Sequence, residues 1–301
     1  MAQGKHDIMR TFETFDEFVE YSAGGNNSDK TRKSRFREGG LDNRWDLGAG
    51  WEGALKLART GWEEGTQRMI ELRDKLESIS SVIMSDQSFK HSDDGSEVDV
   101  DAYLEGEPDC FIEFIDELAR GFEPQVFKIV VNLGVSSSIS ADRIEQRGAA
   151  VLALVDMLES AGHRCEIEIV KATGSGRGTA LWQMRTVLKE AGEPMATDRL
   201  AFALVHPATH RRLIFSAEER EPIETRAWYG FGDGKVGGKG RSLDGGYGQP
   251  AQITGDKGDV YLPALNYSTR DKQSWLNSDE ETAKWIKSQL EKAGVELEPR
   301  Y

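Results

Sequence analysis

The clearest pattern of apolar and polar positions lies between residues 126 and 170. Residues 126–133 form a short apolar run bounded by a proline and a glycine, which predicts a strand covered on both faces. Small and apolar residues then recur at intervals of three and four: Ile144, Gly148, Val151, Leu152, Val155 and Leu158. This spacing predicts a long helix that begins after Ser140 and ends near Gly162. Residues 165–170 alternate like a half-buried strand, so the connection predicts a right-handed parallel crossover.

Shorter patterns predict the other elements. Helical spacing predicts helices over residues 11–21, 51–62, 65–79, 110–118, 197–205 and 278–293. Alternation predicts strands over residues 97–104, 182–189 and 259–265, and the second of these completes an antiparallel hairpin with residues 165–170. The polar residues 78–96 predict a loop.

These elements predict an α/β fold, with a mostly parallel sheet and flanking helices of the Rossmann-like kind, in residues 126–301. A helical N-terminal region over residues 1–92 and an acidic segment over residues 93–125 are expected to precede it.

The negative charge of the chain is concentrated in its first half. The net charge is −14, and residues 1–125 hold 28 acidic and 15 basic side chains, against 24 and 23 in residues 126–301. Residues 93–117 contain eleven acidic residues and neither lysine nor arginine. On a strand over residues 97–104, Glu97, Asp99 and Asp101 share one face, where like charges repel unless a cation or a basic surface relieves them. We therefore predict that these three residues bind a partner.

A second candidate surface is the turn after the first strand of the crossover, because open α/β sheets bind ligands at the carboxyl ends of their strands. This predicts recognition by Asn132, Ser136 and Ser138. The layout, with its following hairpin, resembles the von Willebrand factor A domain, whose metal site begins with Asp-x-Ser-x-Ser at this position. Here Asn132 replaces the aspartate and Gly134 replaces the first serine, and a neutral amide is a weaker cation ligand. The resemblance therefore implies the topology. A divalent cation at Asn132 and Ser136 is kept as an alternative to serines that cap a helix.

A third candidate is the glycine-rich stretch 226–258. Aromatic and basic residues alternate in it: Arg226, Trp228, Tyr229, Phe231, Lys235, Lys239 and Arg241. Such a loop can stack bases and hold phosphates of a single-stranded nucleic acid. The competing interpretation is an ordered flap whose aromatic residues pin it to the domain.

Two further groups of residues suggest weaker sites. His206 and His210 lie four apart, a spacing that metals use, but no catalytic glutamate accompanies them and Pro207 interrupts the helix. The adjoining Arg211 and Arg212 are interpreted as a small basic surface. A basic cluster in residues 30–37 predicts phosphate contacts, with a solvated loop or an internal partner for the acidic segment as the favoured interpretation.

The remaining sequence features concern the cellular location of the protein and its family resemblance. There is no apolar run long enough for a membrane span and no secretory signal, so a cytoplasmic protein is expected. Cys110 and Cys165 are then expected to be reduced, buried thiols. The stretches 51–62, 100–110, 147–162 and 203–212 are similar to an uncharacterised group of bacteriophage and mobile-element proteins, which implies a phage setting, in the host cytoplasm, and no particular activity.

The sequence thus predicts a non-enzymatic binding or scaffold protein without a cofactor. Its partner is expected to be a protein, held through the carboxyl edge of the sheet and the acidic segment, because the net charge opposes duplex binding unless the basic loops are segregated. A single-stranded nucleic-acid-binding protein using residues 226–247 is the first alternative. A metal-dependent enzyme of unknown class is the second.

Overall fold

The structure is a computed structural model of the chain. It describes residues 7–24, 43–82, 88–92, 97–106, 108–115, 124–136, 139–174, 180–222, 225–226, 229, 231–232, 246–247, 249–266, 271–295 and 297–299. The helices are Phe15–Ala23 (α1), Asn43–Asp46 (α2), Gly50–Thr60 (α3), Glu64–Ile79 (α4), Val100–Glu105 (α5), Ala141–Ser160 (α6), Thr197–Val205 (α7), Phe215–Glu219 (α8) and Asp279–Lys292 (α9), with a π-helix at Thr209–Ile214 and a 3-10 helix at Asp271–Asn277. Among these residues, no helix combines the length and apolar character needed to cross a bilayer.

The strands are Ile8–Phe12 (β1), Ser80–Val82 (β2), Ser88–Ser92 (β3), Glu97–Val98 (β4), Phe111–Ile115 (β5), Val126–Asn132 (β6), Arg164–Gly174 (β7), Leu181–Lys189 (β8), Phe231–Gly232 (β9), Gly246–Tyr247 (β10), Gln249–Pro250 (β11), Val260–Leu262 (β12) and Leu297–Pro299 (β13). The main sheet has the order β1-β8-β7-β6-β12, and β11 also pairs with β7. The pairs β1/β8, β7/β6 and β6/β12 are parallel, while β7/β8 is antiparallel. The predicted α/β fold with a mostly parallel sheet is confirmed, as are the β6-α6-β7 connection and the hairpin.

Helix α6 lies at the centre of the helices on one face of the sheet. It is buried along most of its length, because it packs against α4, α7 and α9. Gly148 permits the closest of these approaches: a Cβ at this position would lie 2.3 Å from the carbonyl oxygen of Leu204 in α7. The neighbour that requires a glycine at this position is therefore another helix and not the sheet.

The other face of the sheet is covered by the strap, which we define as residues 249–258. Ile253 is buried against Val130 and Val170 of the central strands. The backbone N–H of Thr254 donates to the side-chain oxygen of Gln183 at 2.9 Å, and its carbonyl accepts from that amide at 3.1 Å. The strap therefore satisfies polar side chains of the sheet that would otherwise be buried without partners.

The N-terminal residues belong to the same hydrophobic core as the α/β part. Strand β1 forms one edge of the main sheet, in register with residues 182–186 of β8. Helices α3 and α4 contribute Ala54, Leu72 and other buried side chains to the cluster that contains Val131 and Ile169. The boundary predicted at residue 126 therefore does not coincide with a break in the core.

The acidic segment forms a separate three-stranded antiparallel sheet in the order β3-β5-β4. Three local predictions are wrong here. The predicted strand 97–104 is a two-residue strand followed by helix α5. The described part of the predicted helix 110–118 contains strand β5, and the predicted loop 78–96 contains β2 and β3. Capping explains the first of these errors: Asp99 Oδ1 accepts a hydrogen bond from the backbone N–H of Ala102 at 3.1 Å, which begins a helix where the apolar alternation predicted a strand.

Candidate functional site

The carboxyl end of β6 does not present Asn132 to solvent. The residue is fully buried, and its Oδ1 accepts from the backbone N–H of Gly134 at 2.9 Å. Its Nδ2 donates to the carbonyl of Ala251 at 3.1 Å and to the hydroxyl of Tyr261 at 3.4 Å. The prediction that Asn132 binds a partner or a cation is therefore wrong, because its amide closes the turn and secures the strap.

The turn that follows is joined to the chain after β12. The backbone N–H of Ser136 donates to the carbonyl of Leu265 at 2.8 Å, and Val135 forms a parallel bridge with the same residue. Ser136 is half-buried, and Ser138 lies outside the described residues. The serine that was expected to begin α6 is its N-cap by backbone angles, but Ser140 makes no side-chain capping hydrogen bond.

Beneath this edge lies a cluster of ionisable side chains that we call the buried charged centre: Asp46, Arg147, Lys171, His210, Arg211, Arg212 and Glu218. All seven are buried. Pro207 helps to build the cluster, because a proline directs the preceding residue to extended angles and ends a helix. His206 accordingly adopts ψ 124°, α7 stops at Val205, and the chain resumes as the π-helix that carries His210, Arg211 and Arg212.

Lys171 and Glu218 form a buried ion pair in this centre. Lys171 Nζ lies 2.6 Å from Glu218 Oε1, which also accepts from the hydroxyl of Thr173 at 3.2 Å. Burial raises the pKa of Glu218 to about 7, and the Lys171 charge offsets part of that rise. Burial also lowers the pKa of Lys171. Desolvation thus opposes the charged form of both partners and outweighs their attraction.

Arg212 and Arg211 anchor the π-helix to the N-terminal segment. Arg212 Nε and Nη2 lie 2.7 and 2.6 Å from Asp46 Oδ2. The Asp46 carboxylate also accepts from the backbone N–H groups of Gly48 and Gly50, each at 3.1 Å. Arg211 donates instead to the carbonyl oxygens of Trp45 at 2.6 Å and Ile139 at 2.7 Å. The interpretation of the two arginines as a basic surface is wrong, because both are buried structural links.

Arg147 and His210 are the least satisfied members of the centre. Arg147 Nη1 donates to the carbonyl oxygens of Asn132 at 3.0 Å and Pro263 at 3.3 Å. Within the part of the chain that the structure describes, Nε and Nη2 of Arg147 and both ring nitrogens of His210 have no hydrogen-bond partner. Burial lowers the pKa of Arg147 to about 10, so it stays charged at neutral pH. Burial, and then the charges of Lys171, Arg211 and Arg147, hold the pKa of His210 far below its usual value.

The predicted histidine metal pair is not assembled. His206 Nδ1 accepts from the backbone N–H of Ala208 at 3.1 Å, and its ring packs edge-on against Trp62 with centroids 4.6 Å apart. The His210 ring packs against Phe215 instead, at 4.8 Å. The described residues contain no group of three His, Cys, Asp or Glu side chains placed to hold a metal ion.

The aromatic residues of the glycine-rich stretch face inward where they are described. Tyr229 and Phe231 are buried and stack on each other, with centroids 5.4 Å apart, and Phe231 meets Trp182 edge-on at 5.5 Å. Neither ring can stack a nucleic-acid base, so these two assignments are wrong and the pinning interpretation holds for them. Arg226 is half-buried. The other candidates, Trp228, Lys235, Lys239 and Arg241, lie outside the described residues, as does the basic cluster 30–37.

The acidic segment exposes an apolar helix face in place of a row of carboxylates. Glu97 lies on β4, Asp99 caps α5, and Asp101 lies within that helix. Val100, Tyr103 and Leu104 follow helical spacing and are 63%, 65% and 75% exposed, while Ala102 points inward and is 9% exposed. The predicted alignment of three acidic side chains along one strand is therefore wrong, although all three lie beside this surface in sequence.

A cavity of about 400 Å³ lies elsewhere, between the start of α1, the end of β8 and the start of α7. Its lining includes Glu13, Asp16, Glu193 and Arg199, and Arg199 pairs with Asp16 across it. No sequence pattern pointed to this cavity. It brings together acidic side chains and one arginine, without a nucleophile paired to a base.

The sequence did contain signals for the buried charged centre. Arg147 occupies the apolar stripe of α6, three residues after Ile144 and four before Val151. Lys171 lies two residues after Ile169 on β7 and therefore shares the inward face of Ile167 and Ile169. A charged residue in an inward-facing position indicates a buried polar site.

Comparison with known proteins yields one match. A model of the family described as "Domain of unknown function (DUF7192)" matches residues 4–296, almost the whole chain. No curated protein and no solved structure matches it. The functional argument therefore depends on the surfaces and buried groups of the chain itself.

Proposed function

Because the chain belongs to the DUF7192 family, whose description assigns no activity, we propose a function from its own surfaces. The protein is a binding protein that holds a basic segment of a partner protein on its acidic-apolar face, which we define as Val98, Val100, Tyr103 and Leu104 with the flanking acidic residues. The observation that carries this proposal is the exposure of three large apolar side chains on one side of α5.

Exposed apolar side chains scattered singly need no explanation, but a cluster rimmed by polar residues is typical of interaction sites. Val98, in the strand just before α5, is also exposed, at 44%. A partner that covers this face would remove the apolar surface from water, and that transfer favours association.

The charge around the face selects the chemistry of the partner. Eleven acidic residues and no basic residue occur between residues 93 and 117. A stretch of sequence with this charge accelerates encounters with a positively charged segment and disfavours acidic ones. The occupant that fits both features is a basic amphipathic segment, with apolar residues on one side and lysine or arginine on the other.

Three wider predictions accompany this proposal. The strand order β8-β7-β6-β12, with β8 antiparallel, supports a kinship with von Willebrand factor A domains. Cys110 and Cys165 are both free and buried, which suits a cytoplasmic setting. A phage-type system remains the context proposed from the sequence.

The proposal is tested with two synthetic amphipathic peptides that share their apolar residues and differ only in having lysine or glutamate at the polar positions. We expect the full chain to bind the lysine peptide in a fluorescence anisotropy titration and to leave the glutamate peptide unbound. The double variant Y103S/L104S should weaken binding at least tenfold. The variant I70S removes a 40% exposed side chain from α4 and serves as the matched control, with binding unchanged.

The salt dependence of binding separates the contribution of charge from the contribution of apolar burial. Raising the salt concentration should weaken binding of the wild-type chain, because exposed charges are screened. Equal affinity for both peptides, or the same loss in I70S as in Y103S/L104S, would contradict the proposal.

A further inference from the structure

Two partly exposed arginines of this chain show how a guanidinium pairs with a carboxylate. Arg10 places Nε and Nη2 at 2.7 Å from the two carboxylate oxygens of Glu221. Arg185 uses the same two nitrogens on Glu168, at 2.5 and 2.9 Å. In both pairs Nε and Nη2, which form one edge of the guanidinium, donate two parallel hydrogen bonds to a planar carboxylate.

In Arg147 the same edge, formed by Nε and Nη2, has no carboxylate from the described part of the chain bound to it. Its Nη1 is fixed to the carbonyl oxygens at the ends of β6 and β12, which orients the guanidinium. Its Nε and Nη2 are enclosed and have no hydrogen-bond partner among the residues that are described. A buried donor without a partner is costly, and such groups in native proteins usually meet an ion or a water molecule.

The charge favours an anion over water. The centre holds four cationic side chains, Arg147, Lys171, Arg211 and Arg212, but only two carboxylates. Glu218 lies beside Lys171, and the Asp46 charge acts on both Arg212 and Arg211. Water would satisfy the N–H groups but would leave two buried positive charges uncompensated, which a protein interior tolerates poorly. An oxyanion satisfies the donors and the charge together.

We propose that the Nε and Nη2 edge of Arg147 binds a phosphate-class oxyanion beneath the carboxyl end of β6. His210, whose ring nitrogens also have no hydrogen-bond partner among the described residues, feels the charge of Arg147 and is a second candidate donor. Arg147 lies on the second turn of α6, whose N-cap Ser140 makes no side-chain capping bond, and a helix start favours negative charge. Two uncompensated cations match a dianion better than a monoanion.

The first test is thermal unfolding of the full chain in inorganic phosphate, compared with chloride at matched ionic strength. A ligand that binds only the folded state raises the melting temperature as its concentration increases. We expect a rise of several degrees for the wild-type chain. R147K keeps a positive charge but lacks the two-nitrogen edge, so the rise should disappear. K284M removes an exposed cation from α9 and should keep it.

The second test covers the case in which R147K does not fold. Equilibrium dialysis of the wild-type chain with radiolabelled inorganic phosphate should saturate at one phosphate per chain. Sulfate should displace the label, and acetate should not. The proposal is overturned by the absence of saturable binding, by an equal rise in melting temperature for R147K and the wild type, or by acetate competing as well as sulfate. This site is independent of the acidic-apolar face, so neither outcome depends on peptide binding.

Discussion

Gly148 of α6 lies directly against the backbone of Leu204 in α7. A Cβ on Gly148 would lie 2.3 Å from the Leu204 carbonyl oxygen and 2.5 Å from its carbonyl carbon. Both atoms belong to the backbone, so no side-chain rotation relieves the contact. The distance between these helices is therefore set by the absence of a side chain at residue 148.

The variant G148A is expected to lower the free energy of unfolding by about 2–3 kcal/mol, because α6 and α7 must move apart to admit the methyl group. Urea unfolding measures this change. The control is G192A, since a Cβ there would meet nothing within 4 Å. That variant should stay within about 0.5 kcal/mol of the wild type. A similar cost for both variants would show that this contact does not limit the helix crossing.

The variant D46N is expected to destabilise the chain by about 3 kcal/mol or more, because it leaves the buried Arg212 charge without its carboxylate. The same change weakens two hydrogen bonds that Asp46 accepts from Gly48 and Gly50. Chemical denaturation gives the magnitude. E52Q alters an exposed acid of α3 and should be nearly neutral. If D46N unfolds at the same denaturant concentration as E52Q, the pair does not anchor the π-helix.

The stability contributed by Glu218 is expected to decrease as the pH rises from about 4.5 to about 7. Burial raises the pKa of this carboxyl to about 7 from its ordinary value of 4.5, so the unfolded chain releases the proton first. Comparing wild type with E218Q by denaturation at pH 5 and pH 8 isolates this group. The wild type should lose stability relative to E218Q at the higher pH. E219Q changes the half-exposed neighbour and should leave the slope intact; equal differences at both pH values would contradict the expectation.

Cys165 is expected to resist thiol reagents until the chain unfolds. It is fully buried, and burial, followed by the charge of Glu159, raises the pKa of its thiol to about 12. The reactive species is the thiolate, so the native protein holds almost none of it near neutral pH. In the variant C110S, Cys165 is the remaining cysteine, and labelling with an aromatic disulfide should be negligible in native buffer and complete in denaturant. Rapid labelling of native C110S would contradict the burial of Cys165.

The sequence predicted the central crossover well because its signals are local. Period-two alternation in β7 and three-to-four spacing in α6 are set by backbone geometry and by one buried face. Ser278 is a further local success: its hydroxyl accepts from the backbone N–H of Glu281 at 3.2 Å, as the capping pattern before the last helix predicted.

The failures have two physical causes. Short apolar runs suit helix and strand alike, so Asp99 as a cap decided the structure of residues 97–105 against their alternation. The buried charged centre joins residues distant in sequence: Asp46 and Arg212 are separated by 166 positions. A single sequence shows that Arg147 and Lys171 occupy inward positions, but not which groups meet them.

The pairing of β1 with β8 has a consequence for how the chain folds during its synthesis. Ile8 aligns with Trp182 and Phe12 with Thr186, so β1 leaves the ribosome long before its neighbouring strand β8 has been made. During that interval its backbone is an unpaired edge, and such edges invite association with other chains. Contacts between remote segments also slow folding. We therefore expect the nascent chain to need protection by chaperones until residue 189 has emerged.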